Sequence, residues 1–403
     1  MSITAGSPEF KRSNRALFFG GFSCFALLYS VQPLMPLLGQ EFALTPAQTS
    51  LALSVSTGAL AVSLLLSSIL SDRIGRKPLM VAALTVAALM TLLSACAQTC
   101  NQLLFARAAL GAALGGMPAV AMAYLSEEIE AKSLGLSMGL YVSGSAFGGM
   151  LGRILASVLS DFMSWRVATA ALGVAGLFAA LEYWRSLPAS RNFRPSEGGV
   201  AALVAGLRQH FRDDGLPWLF ALAFLLVGCF ISAYSYISFR LLAAPFELRQ
   251  SVVGAISVLY LIGIFSSVWA GKLADRLGRR GVLWVLLCVM LSGLLLTLLN
   301  SLVFIVAGMA LYTFGFFASH SVASSWVGRR AHAPKALASA LYLFFYYMGS
   351  SFVGWIAGYL WSHAGWPGVV ALLGFGLSLA LLIALRLRSL VPVAVPPAAL
   401  AAT

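Results

Sequence analysis

Long apolar runs separated by short polar stretches repeat along the whole chain. Each run is about as long as one membrane crossing, which needs roughly 20 mostly apolar residues in a helix. They fall at about 16–39, 50–70, 78–97, 101–123, 134–158, 165–184, 217–240, 250–271, 281–299, 301–324, 336–361 and 366–387. Twelve runs predict twelve spans, with both termini on one side of the bilayer. The first run is too long for a signal peptide and no small-residue cleavage site follows it, so it is expected to remain as span 1. The expected fold is all-α, a polytopic membrane protein of 12 transmembrane helices in two six-helix pseudo-symmetric halves. The halves are residues 1–184 and 217–403, joined by a cytoplasmic linker at 185–216.

That linker is the only long polar stretch. It opens with Pro188, Arg191, Arg194 and Pro195, and then Val200, Leu203, Val204, Leu207 and Phe211 recur at helical spacing. With Arg208, His210 and Arg212 on the other face, this predicts an amphipathic helix at the membrane surface.

Composition agrees with this pattern, since hydrophobic residues make up 60% and charged residues 10% of the chain. The formal charge of +13 is the one figure that points elsewhere, towards nucleic acid. Its distribution removes that reading. Of the 26 Lys and Arg residues, 21 lie on the terminal and loop segments of one side. That bias orients membrane proteins with the basic side in the cytoplasm. The other five, Arg107, Arg153, Arg166, Arg240 and Arg249, fall within spans or on the opposite side. Cys24, Cys96, Cys100, Cys229 and Cys288 form no metal-spaced pair and read as packing residues, with a Cys96–Cys100 bridge open as a second reading. No nucleotide-binding glycine loop, His-Glu-x-x-His or Gly-x-Ser-x-Gly occurs, so no cofactor, metal or catalytic residue is expected.

A charged hairpin is written twice. Ser68-Ile69-Leu70-Ser71-Asp72-Arg73-Ile74-Gly75-Arg76-Lys77 lies between spans 2 and 3, and Gly271-Lys272-Leu273-Ala274-Asp275-Arg276-Leu277-Gly278-Arg279-Arg280 lies between spans 8 and 9. The two aspartates stand 275 − 72 = 203 positions apart, half the chain. Duplication at that spacing marks two structural repeats, the plan of a secondary transporter. Gly75 and Gly278 suit a tight turn, and Arg76, Lys77, Arg279 and Arg280 suit an anionic membrane surface. Asp72 and Asp275 need partners there, among neighbouring arginines or at a helix N-terminus. A pair made in one conformation alone would bias a gate, whereas a solvated turn would only anchor topology. Glu127, Glu128 and Glu130 offer partners for Arg73 or Arg76.

The repeat extends further. Leu140-Tyr141 before Gly144 and Gly148 matches Leu341-Tyr342 before Gly349 and Gly354, and Gly115 matches Gly315. The halves differ at Arg107, whose counterpart is Ala307, and span 10 instead carries His320.

The duplicated hairpin and Arg107-x-x-x-Gly111 resemble the major facilitator superfamily over essentially the whole chain. Within it, four segments are similar to the YnfM-type bacterial inner-membrane transporters. They are Leu28-Tyr29-x-Val31-Gln32-Pro33, Tyr124-Leu125-Ser126-Glu127-Glu128-Ile129, Gly148-Gly149-Met150-x-Gly152-Arg153 and Ala318-Ser319-His320-Ser321-Val322-Ala323-Ser324-Ser325-Trp326. Ser68 and Leu110 stand where the superfamily usually has glycine and glutamine, and span 5 lacks the Gly-Pro pair of drug/proton antiporters. The resemblance implies a monomeric, proton-linked exporter of small organic molecules in a bacterial inner membrane. It makes Asp72, Arg73, Gly75, Arg76, Lys77, Gly271, Asp275, Arg276, Gly278, Arg279 and Arg280 candidate gating residues.

Cavity candidates come from polar or aromatic residues within spans. Arg107 is costly in lipid, roughly 3 kcal/mol upwards, and must face a cavity or a partner such as backbone carbonyls. His320 titrates near neutrality when exposed. Gln32, Tyr234, Tyr236 and Tyr346 lie on spans that line the cavity in this superfamily. Together they predict an aromatic cavity for amphipathic compounds. No carboxylate lies deep within a span, so proton coupling rests on the resemblance. A facilitator or importer of a small metabolite such as an acid or sugar stands as the second reading, and a lipid-handling or sensory membrane protein as the third.

Overall fold

A computed structural model describes residues 3–193, 199–331 and 335–390; Arg194, Pro195 and Gly198 lie outside them. The described chain is nearly all helix. The first six crossings are built from α1 (Pro8–Tyr29), α2 (Met35–Glu41), α3 (Pro46–Ile74), α4 (Arg76–Ala95), α5 (Cys100–Leu114), α6 (Pro118–Glu128), α7 (Ala131–Phe162) and α8 (Trp165–Ser186). A 3-10 turn at Gln32–Leu34 joins α1 to α2. The linker helix is α9 (Gly199–Phe211), followed by α10 (Leu216–Leu242), α11 (Gln250–Ala255), α12 (Tyr260–Leu277), α13 (Arg279–Leu296), α14 (Leu302–Arg330) and α15 (Lys335–Ser389).

Eleven helical segments among the described residues are long and apolar enough to cross a membrane. The last, Leu337–Ser389, has 53 residues, about 80 Å at 1.5 Å per residue, enough for two passes of a hydrocarbon core about 30 Å thick. It breaks at Gly365, where φ is +57° and ψ −149°, and Pro367 follows. The eleven segments therefore supply twelve crossings. Phe105, Phe178, Phe265 and Val303 point outward, each at least 65% exposed. Such large exposed apolar side chains suit lipid rather than water.

Short polar caps fix where spans begin. Thr45 with Gln48 and Thr99 with Gln102 form capping boxes, and Ser164 accepts from the Val167 amide. At the opposite end the chain turns within one residue, at Gly75 (φ +92°) and Gly278 (φ +80°), a left-handed conformation that costs glycine little.

Packing between helices relies on close backbone approach, which drives association where water is absent. A Cβ on Gly148 would lie 2.0 Å from the Phe22 carbonyl oxygen, and one on Gly349 would lie 2.0 Å from that of Phe224. So α7 packs on α1 as α15 packs on α10. Elements before and after the linker meet along two seams, α3 against α15 and α7 against α11. At the first seam Ser351 donates to the Ser54 carbonyl.

The linker helix does not lie free. It touches α10 and α15, and the Phe211 ring stands 6.0 Å from Phe220 and 6.2 Å from Phe345. His210, expected on a polar face, is buried at 2% exposure because that docking closes over it.

Candidate functional site: a cavity with a central arginine

The two hairpins sit at one end of the molecule. In the first, Arg76 is the hub. Its Nη1 lies 2.9 Å from the Asp72 carboxylate and its Nη2 2.8 Å from Glu127, whose helix α6 ends beside the turn. The guanidinium also donates to Ser71 and lies 4.7 Å over the Phe193 ring. Arg73 is exposed on the rim of the cavity, and Lys77 donates to the Leu187 carbonyl.

In the second hairpin the hub is the carboxylate. Asp275 lies 2.9 Å from Arg279 and 3.2 Å from Arg329, and Arg279 also donates to Ser325 at 3.0 Å. Arg276 is exposed, Arg280 is half-buried, and Gly271 has open space beside it up to Ser321. The copies have thus diverged: an arginine between two acids in one, an acid between two arginines in the other.

The chain following α8 runs beneath the first hairpin as a strap. Glu128, fully buried, accepts the backbone amides of Arg191 at 2.7 Å and Asn192 at 2.8 Å. Tyr124 donates to the Pro188 carbonyl at 3.1 Å, and Arg191 pairs with Glu9 at 3.0 Å. Farther along, Arg330 pairs with Asp213 at 2.5 Å, and Asp213 also accepts the Gly215 and Leu216 amides. Burial works to raise the Asp213 pKa, but Arg330 and the two amides outweigh it and hold that carboxyl below its ordinary value.

Between the helices lies a cavity of about 1410 Å³. Its mouth is at the hairpin end, where Asp72, Arg73, Arg76 and Glu127 line it, and aromatic side chains make up its depth. The other end is sealed. Gln250 donates to the Pro33 carbonyl at 2.6 Å, Ser251 to Asp161 at 2.5 Å, and Arg249 pairs with Asp161 at 3.2 Å.

Arg153 stands at the sealed apex, on α7, only 2% exposed yet part of the cavity wall. Its Nε donates to Gln32 Oε1 at 2.5 Å and its Nη1 to the Gly149 carbonyl at 2.6 Å. The guanidinium carbon lies 4.4 Å from the Tyr29 ring centroid and 4.9 Å from that of Tyr260. A desolvated cation–π contact contributes about 2 kcal/mol, which offsets part of the cost of burying the charge. Gln32 itself donates to the Ile231 carbonyl at 2.8 Å and Ser235 Oγ at 2.9 Å on α10.

The expected cavity residues separate into groups. His320 and Tyr346 line the cavity; His320 Nδ1 is 2.9 Å from the Tyr342 hydroxyl, and its ring is 5.2 Å from Tyr346. Gln32 sits behind Arg153 and holds it. Tyr234 backs Tyr260, with ring centroids 5.1 Å apart, and its hydroxyl meets Thr313 at 2.7 Å.

Gln32, Tyr234, Arg107 and Tyr236 correct the expectation, because none of the four borders the cavity. Arg107 is buried and donates to the carbonyls of Ala52, Leu27 and Leu28, joining α5 to α3 and α1. Tyr236 turns to α15 and donates to the Gly354 carbonyl at 2.9 Å. Tyr234 and Tyr236 could not share a face, since two positions on a helix differ by about 200°. Arg153 was not among the expected cavity residues, although it is one of five arginines outside the basic segments and closes a glycine-rich stretch of span 5. The five cysteines are free thiols.

A family model described as Major Facilitator Superfamily matches residues 17–336. The chain belongs to the major facilitator superfamily. Among its relatives, the inner membrane transport protein YnfM of Escherichia coli is 50% identical over 96% of this chain and 93% of its own. The uncharacterized MFS-type transporter YybF of Bacillus subtilis is 45% identical over 94% of each. The fold is also that of the nucleoside transporter NupG, with a TM-score of 0.76 at 14% identity over 94% of this chain and 100% of that one. As a superfamily member with transporters for relatives, the chain is a multi-pass membrane transporter and not an enzyme.

Proposed function

We propose that the chain is a secondary active transporter that exports small amphipathic organic compounds by alternating access, driven by protons. The observation that carries this reading is the cavity of about 1410 Å³, open at the hairpin end, sealed at the other and aromatic in its depth. Inner-side loops rich in Lys and Arg put the hairpin end in the cytoplasm of a bacterial inner membrane, with both termini there. The cavity then loads from the cytosol. Delivery requires the Gln250–Pro33 and Arg249–Asp161 contacts to part while the mouth closes. Residues 1–184 and 217–403 would rock as two six-helix units about the α3–α15 and α7–α11 seams.

The hairpins bias that exchange, because each carboxylate–arginine cluster ties a turn to the helix end beside it. For the coupling ion, His320 contributes an imidazole to the cavity depth among tyrosines and Arg153, while Asp72 and Glu127 at the mouth are engaged by Arg76. One proton crossing 100 mV supplies about 2.3 kcal/mol, enough to concentrate a substrate severalfold. Everted vesicles carrying the protein should accumulate an amphipathic dye only when an inside-acid pH gradient is imposed, and lose it when the gradient is collapsed. Accumulation indifferent to the gradient would exclude proton drive, and no protein-dependent accumulation would exclude export.

A further inference from the structure

We propose that the cavity apex is an oxyanion site in which Arg153 takes the carboxylate of an amphipathic organic acid; this deepens the transport reading above and rests on it. The argument starts from an imbalance. Among the described residues, no carboxylate lies within ion-pair distance of Arg153, whereas Arg76, Arg249, Arg279 and Arg330 all have one. Its partners are neutral: one amide oxygen, one backbone carbonyl and two tyrosine rings. Among the described residues the buried Nη2 has no acceptor within hydrogen-bonding geometry, and the group nearest to offering one is the neutral Tyr260 hydroxyl. A buried cation with an unused donor at a cavity wall is a receptor for charge that the protein does not supply.

Geometry narrows the ligand. Nε and Nη2 form one edge of the guanidinium, the edge that grips the two oxygens of a carboxylate in parallel. Gln32 Oε1 occupies the Nε half of it and leaves Nη2 buried without a partner, so a carboxylate enters by displacing Gln32 from that edge. Gln32 is a neutral placeholder on a two-pronged site. A single cation favours a single negative charge, so a monoanion fits better than a dianionic phosphate ester. Beyond the apex, Tyr29, Tyr260, Phe316, Phe230 and Tyr346 line the cavity and accept an apolar, preferably aromatic body. The carboxylates Asp72 and Glu127 lie at the mouth on Arg76, so they do not compete at the apex.

The test compares three probes with one apolar body and different heads: 2-naphthoate, 2-naphthamide and 2-naphthylmethylammonium. Binding to the purified full chain is read by calorimetry in phosphatidylcholine nanodiscs, without any ion gradient. Naphthoate should bind saturably and about ten- to a hundredfold more tightly than the amide, the range of a charge-assisted hydrogen bond, and the ammonium should be weakest. Arg153→Gln should bring naphthoate down to the amide, and Arg153→Lys should keep part of the preference. The wild-type comparison needs no variant, so poor folding of Arg153→Gln leaves the idea exposed. Equal binding of the three heads, a preference for the ammonium, no saturable naphthoate binding, or an acid preference that survives in Arg153→Gln would each overturn it. Phosphatidylglycerol in the nanodisc should leave naphthoate affinity unchanged; a severalfold loss would mean that a lipid headgroup holds the arginine and that a free acid does not. Binding without movement in vesicles would sink the transport reading and spare the site, and gradient-driven transport of neutral or cationic compounds alone would do the reverse.

Discussion

Gln32 joins two spans through one amide: its oxygen takes Nε of Arg153 at 2.5 Å while its nitrogen reaches the Ile231 carbonyl at 2.8 Å. The amide therefore ties α7 to α10 through the turn after α1, just below the seal. Gln32→Ala should weaken the sealed end. In a cysteine-free background, a cysteine at Ser54 should be labelled faster from the outer side, by about five- to a hundredfold if the tie carries a typical coupling energy. An unchanged labelling rate would show that the seal depends on Gln250 and Asp161 instead.

Arg76 has two acids, and the loss of one leaves the other. Asp72→Asn and Glu127→Gln alone should each lower transport severalfold with normal amounts of protein in the membrane. The double substitution strips a buried guanidinium of every carboxylate it touches and should cost about 3–5 kcal/mol. Thermal unfolding in detergent and everted-vesicle uptake measure the two effects. Additive small losses would count against a shared hub.

Arg107 makes a different claim. Its three carbonyl acceptors lie on α1 and α3, so it stitches helices together. Arg107→Ala should lower thermal stability by at least about 2 kcal/mol. Arg107→Lys should be nearly as damaging, because an ammonium lacks the planar fork that reaches all three oxygens. Stable protein that has lost only substrate affinity would return Arg107 to the cavity.

The Asp213–Arg330 pair sets an acid limit. The Asp213 pKa is held below its ordinary value, so the pair stabilises the fold above about pH 4 and this contribution is lost as pH falls through the lowered value. Thermal stability should fall more steeply below pH 4 in the natural chain than in Asp213→Asn, which is less stable at pH 7. Parallel pH curves would remove the pair from the account.

Topology has its own check. Reporters fused at Gly198 and after Thr403 should both report cytoplasm, and a periplasmic signal at either would refute the twelve-span arrangement.

Much of this molecule is legible in the residues. Span lengths follow from the apolar runs, and the hairpin turns follow from Gly75 and Gly278, because both depend on local chemistry alone. Even the Arg76–Glu127 pair could be anticipated from an acidic cluster at the end of span 4. What is not legible is helix rotation. Arg107 and Arg153 are both lone cations within spans, and nothing local says which faces the cavity. That is decided by contacts such as Gly148 against the Phe22 backbone, which fixes the angle at which α7 presents Arg153. Tyr234 and Tyr236 make the same point, since one backs Tyr260 and the other is taken up in packing against α15.

The strap from Leu187 to Phe193 has a mechanical meaning. With Lys77, Tyr124 and Glu128 gripping it, this stretch is held against the helices that precede it. Between Phe193 and Gly199 there are six peptide units, which can span no more than about 22 Å even when drawn straight. At the far side of that leash α9 is docked on α10 and α15. While both ends stay docked, no swing can carry those two anchor points more than about 22 Å apart, a limit set by covalent length alone.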